Sequence, residues 1–226
     1  MKKFLVFMLL FSAAIILVSC GSEDSPSADP SILFQDNFSS YAVLNPWTPE
    51  NGWNKSLNSW SDNTQIVQNG SNKTFQPAST GYGALYRNVP VQDYTIQVKI
   101  KPFTNVAPSF CAIFSQYHET VSNKENMYQL LLNNMGFASL YKCVEGSCNG
   151  IGPSDTIPNF VSTTWYTLTL TVKSGVITGT ITDGVNTFES TYTDSAPFTI
   201  GVGAGFLWNP TSPDTDTEFD DVLITK

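Results

Sequence analysis

Charge is scarce in this chain: only 13% of its residues are Asp, Glu, Lys or Arg, and it has a single histidine, His118. One imidazole cannot build a centre of clustered histidines, and no Ser-His-Asp signature, phosphate-cradling glycine loop or dinucleotide fingerprint occurs. Basic residues number 11 against 19 acidic ones, for a net charge of −8. Without a basic stripe, nucleic acid is excluded as a partner. No long segment holds the 3.6-residue period of an amphipathic helix, which excludes a helical bundle. Cysteine is limited to four residues, too few for a dense disulfide scaffold.

What is present begins with the first twenty residues. Lys2 and Lys3 precede an apolar run over 4–18 that ends in Leu17-Val18-Ser19-Cys20-Gly21. A charged start, an apolar stretch shorter than the ~20 residues of a membrane span and a small-residue cleavage site read as a signal peptide, residues 1–19. The rival reading, a core or membrane helix, fits poorly with a lysine-led terminal stretch ending in Ser-Cys. The order resembles a bacterial lipobox, which implies that Cys20 is acylated and holds the mature protein to a lipid bilayer. Gly21 at the second mature position resembles outer-membrane sorting, so the expected location is the bacterial outer membrane or cell surface. Residues 20–31 are Ser, Asp, Pro and Gly with few apolar side chains, and read as a flexible tether. The remaining 32–226 would form the folded domain, in a mature chain of 207 residues and net charge about −10.

Period-two alternation dominates that region. Tyr94, Ile96, Val98 and Ile100 alternate with Thr95, Gln97 and Lys99, and Tyr166, Leu168, Leu170 and Val172 alternate with threonines and Lys173. Each pattern predicts a strand with one buried face. Turns at Lys173-Ser174-Gly175 and Asp183-Gly184 make this stretch a meander of hairpins. Further strands are expected at 33–38, 59–68, 84–88, 109–117, 127–133, 137–143, 199–208 and 218–225. About a dozen strands with turns between them predict two packed antiparallel sheets. Glycines 201, 203 and 205 alternate with apolar residues and leave a bare strip for close packing or, less simply, for a ligand. Cys143 and Cys148 flank a turn-like Val-Glu-Gly-Ser and are placed to pair across a hairpin end; a zinc pair is the rival, without a second Cys or His cluster to complete it. Cys111, between Phe110 and Ala112, reads as a buried small hydrophobe.

Both ends of the domain carry a pattern. Phe34-Gln35-Asp36-Asn37-Phe38 is followed by Trp47 and Gly52-Trp53, Asp93-Tyr94 leads a central strand, and Phe219-Asp220-Asp221-Val222 closes the chain. This order resembles the concanavalin A-like lectin/glucanase jelly rolls, and within them the laminin-G-like and keto-disaccharide-hydrolase-like domains. The resemblance implies an all-β, two-sheet jelly-roll sandwich in which the first and last strands pair, with Trp47 and Trp53 packed beside them. It also implies a structural calcium ion, with Asp36, Asp220 and Asp221 at the matching positions; the alternative is that Asp36 and Asp221 accept turn amides.

Catalysis has less support. The glucanases of this superfamily carry alternating acids on one strand, whereas here Glu218-Phe219-Asp220 is the only fragment of that kind and Val222 stands where the next acid belongs. Glu119 and Glu125 flank a loop and form no pair on one strand face, and His118, at the end of a strand, reads as a solvent-facing or loop-stabilising histidine. The candidate ligand residues are therefore those suited to sugars, aromatic faces with amides beside them. Trp60, Tyr82, Tyr117, Tyr128, Tyr141 and Trp208 are the aromatics, with Arg87, Gln97, Gln116 and Gln129 as polar companions. Of these Arg87, Gln97, Gln116, Tyr128 and Trp208 form the expected ligand set, although core packing for the aromatics and an ion pair for Arg87 are the plainer uses. Three functions fit: noncovalent binding of a glycan or an envelope or host partner, glycoside hydrolysis of the keto-disaccharide type, and an adhesive or structural surface role.

Overall fold

Sequences that alternate apolar and polar residues must find a partner for the apolar face, and this chain does so with two sheets laid face to face. The computed structural model describes residues 31–226 except 45, 57–63, 78–80, 105–108, 121, 123, 201–202 and 211–216. The leader, Cys20, the tether up to residue 30, Trp60 and Gly201 lie outside the described residues.

The strands in chain order are β1 (Ile32–Asp36), β2 (Asn54–Lys55), β3 (Thr64–Asn69), β4 (Asn72–Pro77), β5 (Gly83–Asn88), β6 (Tyr94–Lys101), β7 (Phe110–Glu119) and β8 (Glu125–Asn133). They continue as β9 (Phe137–Val144), β10 (Ser147–Gly150), β11 (Asp155–Thr156), β12 (Tyr166–Lys173), β13 (Val176–Thr182), β14 (Thr187–Thr193), β15 (Gly203–Asn209) and β16 (Glu218–Thr225). The first sheet runs β14-β13-β12-β6-β16-β4-β3, with β1 also on β16; the second runs β10-β9-β8-β7-β15-β5-β2, with β11 on β9. All pairings are antiparallel. The terminal strands lie side by side as expected: Asp36 faces Val222, Ile32 faces Thr225, and the Lys226 N–H donates to the Ser31 carbonyl at 2.7 Å.

The alternating residues read from the sequence supply the core. Tyr94, Ile96, Val98 and Ile100 of β6 and Leu168 and Leu170 of β12 are buried against Cys111, Ile113, Leu130 and Leu132 of the second sheet. At one end the filling is aromatic. Phe206 stacks on Phe219 at 4.5 Å between ring centres, with Phe75 at 5.2 Å and Trp53 at 5.3 Å from Phe206. Each such ring contributes roughly 1.5–3 kcal/mol through burial. The second sheet is buried on its outer face as well, where Ala84, Ala112, Phe114, Met127 and Leu207 form a separate apolar cluster.

Several boundaries differ from expectation for local reasons. β1 stops at Asp36 because Phe38 takes a positive φ of 56° in a turn that Asp36 caps by accepting the Phe38 N–H at 2.8 Å. β4 has no alternating pattern to predict it, since Phe75 is its one strongly apolar residue; that residue pairs with Phe219. Cys143 and Cys148 stand opposite each other on β9 and β10 and form a disulfide. Cys111 is free and buried, and burial pushes its thiol far above the usual range.

Gly203 and Gly205 of the glycine strip serve close packing. A Cβ on Gly203 would press on the Tyr117 ring at 3.1 Å, and one on Gly205 would stand 1.9 Å from the Leu85 carbonyl oxygen. Because the obstacle at Gly205 is backbone, it cannot swing aside. Gly205→Ala is expected to loosen β15 from β5 and to remove about 2 kcal/mol of stability, read by urea denaturation; unchanged stability would show that the strands do not approach so closely.

Candidate functional site: the concave face of the second sheet

A β-bulge sets up the site. Along β7 the outward residues are Phe110, Ala112 and Phe114, but the register against β8 shifts between Ser115 and His118, where Gln116 has a φ of 55°. The extra residue changes the parity, so Tyr117 and Glu119 face outward with Phe114 rather than inward with Cys111 and Ile113. The bulged backbone is held by Tyr94, whose hydroxyl accepts from the Gln116 N–H at 2.7 Å and donates to the Gly203 carbonyl at 2.9 Å. Burial pushes that phenol up to about 12, so it stays protonated.

Two carboxylates meet on this face. Glu119 and Glu125 stand directly opposite across the β7–β8 hairpin, a placement that repels when uncompensated. Hydroxyls compensate it. Ser56 Oγ lies 3.0 Å from Glu119 Oε1 and 2.6 Å from Glu125 Oε1, Tyr82 donates to Glu125 Oε2 at 2.8 Å, and the Tyr117 hydroxyl donates to Glu119 Oε1. Burial, and then the charge of Glu125, push Tyr82 well above the usual phenol range; burial and the Glu119 contact do the same for Tyr117. Both phenols therefore remain donors. Because both carboxylates reach one serine oxygen, their nearer oxygens are no farther apart than the sum of those two contacts.

That convergence also reports the curvature of the sheet. Ser56 is bonded through its N–H to Ala84 of β5 at 3.1 Å, on the side away from β15. In a flat sheet, four spacings of about 4.8 Å would separate it from β8 by about 19 Å, more than Ser and Glu side chains can span. The sheet is thus curled toward this face. In the hollow lies a cleft of about 340 Å³ lined by Tyr82, Phe110, Glu125, Gln129, Leu131 and Tyr141. It offers aromatic and aliphatic walls, an amide and a carboxylate, and the Tyr86 ring leans on Tyr117 at 4.7 Å beside it.

The expected ligand set does not assemble here. Trp208 is 1% exposed between the sheets, with Phe75 5.2 Å away, and presents no face to a ligand. Tyr128 is buried on the inward side of β8 and donates to Asp194 at 2.5 Å. Arg87 lies over the Phe34 ring at 4.2 Å and donates to the Asn51 carbonyl, so its cation is spent on a π face and a turn. Gln97 sits on β6 in the other sheet, opposite Thr169 and Leu223. Gln116 and Tyr128 do share a cavity, at another edge of the molecule. Of the wider list, Tyr82, Tyr141 and Gln129 line the cleft, and Tyr117 belongs to the apolar cluster on the same face.

The carboxylates expected to hold calcium do not fit that ion. Asp36 accepts from the Phe38 N–H, the Tyr41 hydroxyl at 2.6 Å and the Trp53 indole at 2.9 Å, leaving neither oxygen unengaged. Asp220 accepts from the Asn72 amide at 2.5 Å and the Asp221 N–H at 2.8 Å, and burial raises its carboxyl above the usual range. Asp221 takes the Lys99 ammonium at 2.7 Å. Among the described residues no group of three or more His, Cys, Asp or Glu is placed to hold a metal.

Two antiparallel sheets with joined terminal strands, one of them curled around a cleft, define a concanavalin A-like jelly roll. Known proteins share it. No family model and no curated protein matches the sequence. Among solved structures, the chain is similar to a β-glucanase of Bacillus licheniformis, with 15% identity over 85% of this chain and 97% of that one at a TM-score of 0.59. A glycoside hydrolase family 16 endo-glucanase of Bacteroides ovatus aligns over 85% of this chain and all of its own, with 11% identity and a TM-score of 0.57. The carbohydrate-binding module CBM66 of Bacillus subtilis aligns over 77% of this chain and 96% of its own, with 15% identity and a TM-score of 0.54. At such identities the likeness is one of fold.

Proposed function

We propose that the protein is an exported, lipid-anchored surface protein that binds a glycan noncovalently in the concave cleft of the second sheet. The observation that carries this reading is the cleft itself: Tyr82 and Tyr141 give ring faces for the apolar side of a sugar, and Gln129 and Glu125 give hydrogen-bonding groups for its hydroxyls. The jelly-roll neighbours include a carbohydrate-binding module and glucanases, which supports the ligand class. The lipobox-like Leu17-Val18-Ser19-Cys20 supports the anchor, and mass spectrometry of the mature N-terminus is expected to show an acylated Cys20; an unmodified cysteine would remove it.

A glycan array probed with the detergent-solubilised chain tests the binding. Tyr141→Ala is expected to weaken the captured glycan roughly tenfold, as for one lost aromatic contact. No captured glycan, or equal binding by the variant, would refute the cleft as the site.

One observation favours a second reading, glycoside hydrolysis. Retaining enzymes hold two carboxyl groups about 5–5.5 Å apart, and Glu119 and Glu125 converge on Ser56 at that scale. Release of reducing ends from a captured glycan, abolished in both Glu119→Gln and Glu125→Gln, would establish it; binding without turnover leaves the protein a binding module.

A further inference from the structure

A second cavity, of about 280 Å³, opens at one edge of the sandwich where the approach to β6, the β12–β13 turn and the segment after β14 meet the β7 bulge. It shares no lining residue with the concave cleft. Gln116 is a buried polar group in its lining. The strained φ of that residue turns its side chain here, its Nε2 donates to the Gln92 carbonyl, and its Oε1 has no donor although the residue is 1% exposed. A buried carbonyl oxygen without a partner is costly to leave unmade, so the site is built to receive a donor.

The rest of the lining narrows what that donor is. Asp93 accepts from the Ser174 N–H at 2.9 Å and from the Ser174 hydroxyl at 3.2 Å, which spends the donors of Ser174 and leaves acceptors facing the cavity. Across from them, Val172, Pro197 and Phe198 form an apolar wall. The Phe198 ring is fixed by Tyr128 at 4.9 Å and by the Lys142 ammonium at 5.0 Å. Acceptors on one side and an apolar ring on the other suit a molecule with hydroxyl donors on its edge and C–H groups on its face. Asp93 repels an acidic ligand, and the volume falls just below the range of about 300 to 1,000 Å³ usual for ligand pockets, which restricts it to a small molecule.

We propose that this cavity is a second sugar subsite that takes a single neutral pyranose ring, with a ring hydroxyl donating to Gln116 Oε1 and a C–H face on Phe198. It rests on the glycan reading for its ligand class but occupies a different place in the fold. A glycan would then be held both along the concave cleft and by one ring at the sandwich edge.

Saturation-transfer NMR of the detergent-solubilised chain with glucose, galactose and N-acetylglucosamine, beside titration of the array-selected oligosaccharide, tests it. At least one monosaccharide is expected to bind, and Gln116→Met, which keeps length and removes the acceptor, is expected to weaken it tenfold or more while Tyr141→Ala leaves it unchanged. If Gln116→Met fails to unfold cooperatively, Asp93→Ala at an exposed position carries the same expectation. Equal monosaccharide binding by wild type and variants, or none by wild type, overturns the subsite, as does an ordered water on Gln116 Oε1 that no sugar displaces from a crystal. Oligosaccharide binding lost in Tyr141→Ala with monosaccharide binding intact supports two sites; an array without any captured glycan defeats the cleft reading, and the monosaccharide titration then decides the subsite alone.

Discussion

Trp208→Ala is expected to unfold the domain at moderate denaturant rather than to empty a binding site. The indole sits on β15 with Phe75 at 5.2 Å, Phe219 at 6.2 Å and Phe206 at 6.3 Å, and it covers Gly83 so closely that a Cβ there would stand 2.2 Å from the ring. Truncation to alanine removes its burial and leaves a hole among rings that cannot all close in, which costs about 3–5 kcal/mol. In a chain of this size each kcal/mol moves the melting temperature by about 2–4 °C, so a fall on the order of 10 °C is expected. A variant that keeps its melting temperature but loses glycan would place the indole on the surface, against the packing described.

Lys142→Ala is expected to cost about 3 kcal/mol at neutral pH, because removing one member of a buried ion pair strands the other; the low end of the usual 3–5 kcal/mol applies since the lysine keeps 19% exposure. Its ammonium lies 2.6 Å from Asp194 Oδ2 and donates to the Ala196 carbonyl at 2.8 Å, while Tyr128 donates to the same carboxylate. Burial alone would raise the Asp194 carboxyl, but the donors from Lys142, Tyr128 and the Ala196 N–H outweigh it and hold it below the usual carboxylate range. A depressed folded value means that the stabilisation is complete above the unfolded value of about 3.9 and is lost as pH falls through the folded one. Urea denaturation of wild type and variant is therefore expected to differ at pH 7 and to converge as pH falls through the depressed folded value of Asp194. A pH-independent difference would mean that the lysine acts through its aliphatic stem.

The sequence carried the sandwich because its central strands alternate cleanly. Tyr94 to Ile100 and Tyr166 to Val172 declare their faces, and the two terminal motifs had to meet for Asp36 to face Val222. The acid pair was hidden by the bulge. Counting by twos from Cys111 and Ile113 puts Tyr117 and Glu119 inside the sandwich, and only the extra residue at Gln116, with no glycine or asparagine to announce it, turns them out. A pair built from two strands also leaves no spacing to read along either one. The signal that was present is the hairpin itself: two glutamates at the ends of a short loop, with a tyrosine two residues before the first.

Trp208 misled for a different reason. Both faces of the second sheet are buried, so an aromatic on β15 carries no hint of which side it takes, although its parity with Phe206 and opposition to Gly203 and Gly205 would have settled the matter. Arg87 meets the Phe34 ring and the Asn51 carbonyl in place of the expected ion pair or ligand, and cation–π contacts have no sequence spacing to read.

The pairing of β1 with β16 has a mechanical consequence. Ser31 and Lys226 stand at the same end of an antiparallel ribbon, so tension applied between them strips one rung at a time instead of shearing all rungs together. A pull that divides the two termini would peel the edge open at low force while the aromatic centre stays shut.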